Sequence, residues 1–305
     1  MKSIDHARLL VAPGTRVDLA DLETGSTSGF KTKDDAKTTL VSDIERLSAL
    51  QDVFYADGRS ALLIVFQGMD AAGKDGAIKH VMSGVNPQGV DVFSFKTPTA
   101  EELAHDYLWR ASKVLPQRGR IGIFNRSYYE ELAVVRVHPA LLKGERAPRA
   151  AGTHVWKERF EDITAFERHL SRNGTLILKF FLHISNEEQR KRLLARIDLP
   201  EKNWKISVSD VRERAFWEAY QHAYSELLTH TSTEFAPWYV IPSDRKWFTR
   251  AAVANIIVAR LKALDLTYPH VGDERRAELL AERDRLVGGP HSDGAAHAER
   301  RRANR

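Results

Sequence analysis

Gly68-Met69-Asp70-Ala71-Ala72-Gly73-Lys74-Asp75 has the spacing GxxxxGK. The chemistry of that spacing is phosphate binding. Glycines at Gly68 and Gly73 permit backbone angles that turn successive N–H groups inward, so that the stretch through Ala71 and Ala72 makes a nest for phosphate oxygens. A following helix adds the positive end of its dipole, and Lys74 carries a point charge to the terminal phosphates. Asp75 stands where most such loops place Ser or Thr on magnesium. A carboxylate also ligates magnesium, although an acid in the first turn of a helix serves its dipole equally well. Asp70, inside the loop, repels phosphate unless a metal bridges the two. Asp70 and Asp75 are therefore the candidate ligands for magnesium, or manganese, beside a phosphoryl group.

Two further constellations carry charge suited to the same work. In Ile121-Gly122-Ile123-Phe124-Asn125-Arg126 a polar pair ends an apolar run. Phosphate-loop enzymes usually carry an Asp for magnesium at this strand end, and here the residue is Asn125. Arg126 follows, and a guanidinium can stabilise the equatorial oxygens of a phosphoryl group in transfer; a salt bridge to a neighbouring helix is the plainer alternative. Arg192 and Arg196 lie four apart and share a helix face, with Lys202, Lys205 and Arg214 following. Like charges at that spacing destabilise a helix unless an anion or local Glu partners answer them.

The elements that must position these groups alternate along the chain. Apolar residues at Leu40, Ile44, Leu47, Leu50 and Phe54 predict an amphipathic helix over 33–55. Residues 61–67, ALLIVFQ, read as a strand buried on both faces, followed by the Gly-rich loop and a helix from about Lys74. A bare GxxxxGK arises by chance in roughly one chain in ten of this length at ordinary glycine usage. Its place between a strand and a helix is what makes it informative. Further strands are expected at 90–95, 120–125, 175–183 and 238–241. A capping box at Thr99 and Glu102 opens a helix through about Val114, and another pairs Ser185 with Glu188. Helices are also expected from about Ser127, over 154–171 and over 245–264. Strands separated by helices predict an α/β fold, a parallel sheet of about five strands with helices on both faces. The polar stretch 196–210, with Pro200, breaks the rhythm and reads as a lid beside the carboxyl edge.

Composition sets the outer limits. The 305 residues are 43% hydrophobic, ample for one sizeable core. There is no cysteine, which excludes disulfides and thiolate metal sites. The first residues lack the long apolar stretch of a signal peptide, and no run is long enough to span a bilayer, so a cytoplasmic protein without a membrane partner is expected. The formal net charge is +5, in part from an Arg-rich end, and it favours polyanionic partners.

Taken together, the motifs resemble the polyphosphate kinase 2 family. The matching pieces are Gly68 to Asp75 with its internal Asp70, Asn125-Arg126-Ser127, Phe95-Lys96-Thr97-Pro98-Thr99, His105-Asp106-Tyr107-Leu108-Trp109-Arg110, Lys202-Asn203-Trp204-Lys205-Ile206-Ser207 and Ala236-Pro237-Trp238-Tyr239-Val240-Ile241-Pro242. The similarity covers about residues 33–266. The resemblance implies a P-loop kinase fold similar to thymidylate kinase, with a helical lid over about 196–214. It implies phosphoryl transfer between inorganic polyphosphate and AMP, ADP or ATP with magnesium, and no nucleic-acid partner. On that basis Asp70, Lys74, Arg126, Arg192 and Arg196 are the catalytic candidates and Lys205 a lid contact to phosphate. Lys96, Thr97, Asp106, Arg110 and Asn125 are the nucleotide-binding candidates. Many members carry Asp-Arg-Ser at the strand end. Asn125-Arg126-Ser127 followed by Tyr128-Tyr129-Glu130-Glu131 is similar to the subgroup that phosphorylates both AMP and ADP. The expected organisation is an irregular arm over 1–32, a kinase domain over 33–270, and a short helix with a disordered basic tail over 271–305, assembled as a dimer or tetramer. An ATP-dependent nucleoside monophosphate kinase and a non-catalytic polyanion- or nucleotide-binding protein are the alternatives.

Overall fold

The computed structural model describes residues 4–27, 29–143 and 154–288, and the basic tail expected after 288 lies outside them. The chain divides into two units, Met1–Thr267 and Tyr268–Arg305. In the first unit five parallel strands form one sheet: β1 Ala61–Gln67, β2 Val90–Ser94, β3 Ile121–Asn125, β4 Thr175–His183 and β5 Trp238–Pro242, in the order β2-β3-β1-β4-β5. The order reverses direction about β1, so the carboxyl end of β1 is the switch point where α/β sheets open a crevice. Register aligns that crevice: Phe66 of β1 is level with Asn125 of β3, and Asn125 with Ser94 of β2.

The helices of this unit are α1 Lys33–Asp57, α2 Lys74–Val81, α3 Ala100–Leu103, α4 Trp109–Ser112, α5 Val134–Val137, α6 Val155–Arg172, α7 Asn186–Asp198, α8 Val208–Glu213, α9 Trp217–Thr231 and α10 Lys246–Lys262. α10 packs on α1 and α2, and α6 packs on α9 and β4. These two groups bury the apolar sheet between them, with every residue of β1 and β5 buried. The second unit contains α11, Asp273–Gly288. Among the described residues no helix is long and apolar enough to cross a membrane.

Three local outcomes differ from the expected elements. The helix expected from Thr99 through Val114 is two short ones, because Asp106 starts a new turn by accepting from the Leu108 N–H at 2.9 Å. The helix expected from Ser127 is a 3-10 turn, Tyr128–Glu131, before α5. Its cause is the buried core beneath it. The adjacent hydroxyls of Tyr128 and Tyr129 both donate to Glu167 Oε1, each at 2.8 Å, and successive residues of an α-helix do not share a face. The Ser185 box is half formed: Ser185 Oγ accepts from the Glu188 N–H, but the Glu188 carboxylate is taken by Arg192.

The N-terminal arm is packed against the sheet. Leu10 bridges Tyr239 antiparallel, the Val11 N–H donates to the Trp238 carbonyl at 2.9 Å, and the Val240 N–H donates to the Leu9 carbonyl at 2.8 Å. The arm thereby covers the β5 edge, which would otherwise present unpaired backbone groups.

Candidate active site

The strand β1 ends at Gln67 and the chain turns at Gly68, whose φ is +143°. A Cβ there would meet the Leu182 carbonyl at 2.7 Å, so only glycine fits against β4. Ala71 adopts φ +63° and Gly73 φ +112°, and Gly73 caps α2 with no side-chain hydrogen bond. The first N–H groups of α2 therefore lack both intrahelical and side-chain acceptors, which is the arrangement an anion would complete.

Lys74 is buried, and its ammonium donates to the carbonyls of Gly68 at 2.6 Å and Met69 at 3.2 Å. Burial, with the Arg126 charge in support, pushes its pKa down to about 8, against the opposing pull of Asp70, Glu130 and Asp75. The lysine lies folded on its own loop, poised to exchange carbonyl oxygens for phosphate oxygens.

Arg126 sits at φ +62°, beyond the end of β3. Its guanidinium holds Asp70 Oδ1 at 2.7 Å and Glu130 Oε2 at 3.7 Å. Burial disfavours its charge, but Glu130 and Asp70 outweigh that penalty and the net shift is upward. Burial also raises the Glu130 carboxyl, although Arg126 and Lys74 oppose it. Beside this pair, Asn125 Nδ2 donates to Asp75 Oδ1 at 2.7 Å, tying β3 to the first turn of α2.

Arg192 and Arg196, expected to act alike, take different partners. Arg192 is buried and all five of its N–H directions meet protein oxygens: Glu188 Oε1, the carbonyls of Ala71 and Ala72, and the carbonyls of Ser243 and Asp244. It joins the phosphate loop to the β5–α10 turn. Arg196 is half-buried and donates through Nη1 to the Lys205 carbonyl at 3.1 Å. Lys205 stands at 4.7 Å from the Trp204 ring, and Trp204 itself is 79% exposed.

These groups line one cavity of about 830 Å³ at the carboxyl edge of the sheet. Asp70, Ala71, Ala72, Gly73, Lys74, Asp75, Lys96, Thr97, Asn125, Arg126, Arg192, Arg196 and Lys205 all reach it. Gly68, Asp106 and Arg110 are not in its lining. Arg110 acts behind it, with Nη1 on the Lys96 carbonyl at 2.8 Å and its guanidinium 5.3 Å from the Phe95 ring centre.

Sequence reasoning missed several members of this neighbourhood. Glu130 falls four residues after Arg126, on the 3-10 turn that follows it, which was a legible pairing signal. Gln189 is one helical turn before Arg192. Its amide donates to the Asp70 carbonyl at 3.0 Å and accepts from Arg214 at 2.7 Å, linking the loop to the segment after α8. Lys246 and Arg250 also line the cavity. Their spacing on α10 read only as a core helix.

The family model for Polyphosphate kinase 2 matches residues 30–269. The chain is 50% identical over 279 residues to the ADP-polyphosphate phosphotransferase of Rhodopseudomonas palustris, covering 91% of this chain and 96% of that one. It is 45% identical over 260 residues to the AMP/ADP-polyphosphate phosphotransferase of Meiothermus ruber, covering 85% and 94%. The crystal structure of polyphosphate kinase 2 from Arthrobacter aurescens TC1 superposes with a TM-score of 0.83 at 40% identity, over 92% of this chain and 95% of that one.

Proposed function

The chain belongs to the polyphosphate kinase 2 family, and from that premise we propose that it transfers a phosphoryl group between inorganic polyphosphate and AMP or ADP. The observation that carries this reading is the cavity on the switch-point loop, where Lys74, Arg126, Arg196, Lys205 and Lys96 converge around Asp70 and Asp75. A phosphate acceptor is already anionic, so positioning and charge stabilisation rather than a strong base govern the reaction.

In this reading the terminal phosphate of the donor replaces the loop carbonyls at Lys74, and Arg126 moves from Asp70 to the oxygens of the transferring group. Glu130 keeps Arg126 oriented throughout. Arg192 holds the loop backbone, while Arg196 and Lys205 close from the lid side and exclude water. The acceptor lies on the β2–β3 side near Lys96, Thr97 and Asn125, with Asp106 and Arg110 shaping the segment that carries them.

A divalent cation fits these residues. Magnesium prefers oxygen ligands and is held by one or two carboxylates together with substrate phosphates, and Asp70 and Asp75 are such a pair. Among the described residues no group of three or more His, Cys, Asp or Glu would hold a metal alone, so magnesium or manganese would bind together with the phosphates. Bound there, it would neutralise charge on the donor and acceptor oxygens. A cytoplasmic location and assembly as a dimer or tetramer complete the proposal; light scattering measures the assembly.

The test is an assay with polyphosphate, magnesium and either AMP or ADP, with products resolved by chromatography. ATP from ADP, and ADP then ATP from AMP, are expected. ATP from ADP alone would keep the reaction and remove AMP as an acceptor. No product from folded protein, with activity on ATP plus a nucleoside monophosphate, would replace polyphosphate by ATP as donor.

A further inference from the structure

We propose that Thr24 and Asp244 are positioning residues for the phosphate loop, acting through Arg192, and that this is the work of the N-terminal arm beyond the β5 edge. The inference rests on the polyphosphate reading and deepens it, because the loop being positioned is the one that takes the donor.

Covering β5 accounts for only part of the arm. That contact is complete at Leu9 to Val11, yet the chain continues across the carboxyl edge of the sheet and is held at each stage. The Val17 N–H donates to Thr229 Oγ1 at 2.9 Å and the Leu19 N–H to Ser225 Oγ at 3.1 Å, both on α9. The Leu19 side chain is buried. At the end of β4, His183 Nε2 lies 3.0 Å from the Leu19 carbonyl and 3.1 Å from the Leu22 carbonyl. Carbonyls only accept, so Nε2 carries the hydrogen and donates to both.

Two residues further on, the arm meets the β5–α10 turn. Thr24 Oγ1 donates to Asp244 Oδ2 at 2.7 Å, and the Asp244 N–H donates back to the Thr24 carbonyl at 3.1 Å. The other carboxylate oxygen, Oδ1, accepts from the Ser185 N–H at 2.8 Å. Ser185 is the N-cap of α7, the helix that carries Arg192. The Asp244 carbonyl in turn accepts from Arg192 Nη2 at 3.1 Å. Asp244 thus holds Arg192 from both ends, through the start of its helix and through an oxygen that its guanidinium grasps.

Arg192 passes that order to the loop. Its Nη1 donates to the Ala71 and Ala72 carbonyls, at 3.0 and 2.9 Å. Ala71 stands at φ +63°, a left-handed conformation that a residue with a Cβ holds only where its surroundings impose it. The loop's N–H groups are therefore aimed by a hydrogen-bonded chain that begins at Thr24. Neither Thr24 nor Asp244 lines the cavity, so each acts on substrate only through other residues.

The test compares Thr24→Val, which removes the hydroxyl, with Thr24→Ser, which keeps it, and combines Thr24→Val with Arg192→Lys. Thr24 is only half-buried, and melting curves set a temperature at which every variant is folded. Kinetics are then measured with polyphosphate and ADP. Thr24→Val should lower kcat/KM for polyphosphate by on the order of tenfold, as for a modest misplacement of a group that orients substrate. The KM for ADP should stay within about twofold, a split that loss of folded protein alone does not produce. Thr24→Ser should restore most of the activity. In the Arg192→Lys chain, Thr24→Val should lower kcat/KM by less than about twofold more, because the link it loosens is already broken.

A lowered melting temperature with unchanged kcat/KM in the folded variants would overturn the inference and leave the arm a stabilising strap. Full multiplication of the two losses in the double variant would also overturn it, since the effect would then bypass Arg192. In both cases the proposed function stands. A folded wild type inactive with polyphosphate would overturn the proposed function, and this inference with it.

Discussion

Arg126 Nη2 lies 2.7 Å from Asp70 Oδ1, so the guanidinium at the end of β3 and the carboxylate inside the phosphate loop neutralise each other at the mouth of the site. Each group is thereby withheld from a different partner: Asp70 from a cation, Arg126 from a phosphoryl oxygen. The pair ties two switch-point loops together, and substrate must divide it.

Asp70→Asn separates these roles. Turnover with magnesium should fall by about a hundred- to a thousandfold, the scale of losing one electrostatic group at a transferring centre. In chelator, without a metal, equilibrium binding of polyphosphate should tighten, because a repelling carboxylate is gone and Arg126 is released. Weaker metal-free binding would mean that the pair is needed to shape the loop.

Arg192 is expected to behave as a support for the loop. Its charge is buried with Glu188 beside it, and its other four hydrogen bonds end on carbonyls of the loop and of the β5–α10 turn. Arg192→Ala leaves those oxygens and Glu188 without their partner and should destabilise the chain by about 3 kcal/mol. A melting curve reads this directly. A wild-type melting temperature with a large loss of kcat would instead put Arg192 on the substrate.

Lys74 predicts an alkaline limb. Its pKa in the empty site is lowered to about 8, by burial and then by Arg126. The charged form binds phosphate, so kcat/KM for polyphosphate should be level below that pH and fall as pH rises through it. In the loaded enzyme the bound phosphate restores the proton, so kcat should hold to higher pH. Lys74→Arg keeps its charge throughout and should lose the limb, whatever activity it retains; a limb that persists belongs to another group.

Glu167 and Lys179 form a fully buried pair, with Nζ and Oε2 2.6 Å apart. Lys179 also donates to the Tyr129 hydroxyl and the Thr231 carbonyl, at 2.8 and 2.7 Å. Removing one charge leaves the other buried alone, so Glu167→Gln should cost about 3–5 kcal/mol. Adding Lys179→Met in the same chain should recover part of that. If denaturant midpoints show the double variant to be less stable than the single one, the lysine stabilises the core without its counter-charge.

Much of this protein follows from contiguous residues. The alternation of apolar runs and helical spacing specifies five strands and the order of the main helices, because burial on one face or two writes a local period. The phosphate loop is equally local: strand, Gly68 to Lys74, then helix, with backbone angles that neighbouring residues decide. Tertiary structure decided the rest. Whether Arg192 serves substrate or backbone depends on carbonyls 120 and 121 residues away. Two tyrosines replaced an expected helix with a 3-10 turn because Glu167, far along the chain, accepts from both. Lys246 and Arg250 joined the cavity only when α10 packed beside α2. Periodicity reports which face of an element is buried; which charged groups then meet depends on strand order and register, and distant segments settle those together.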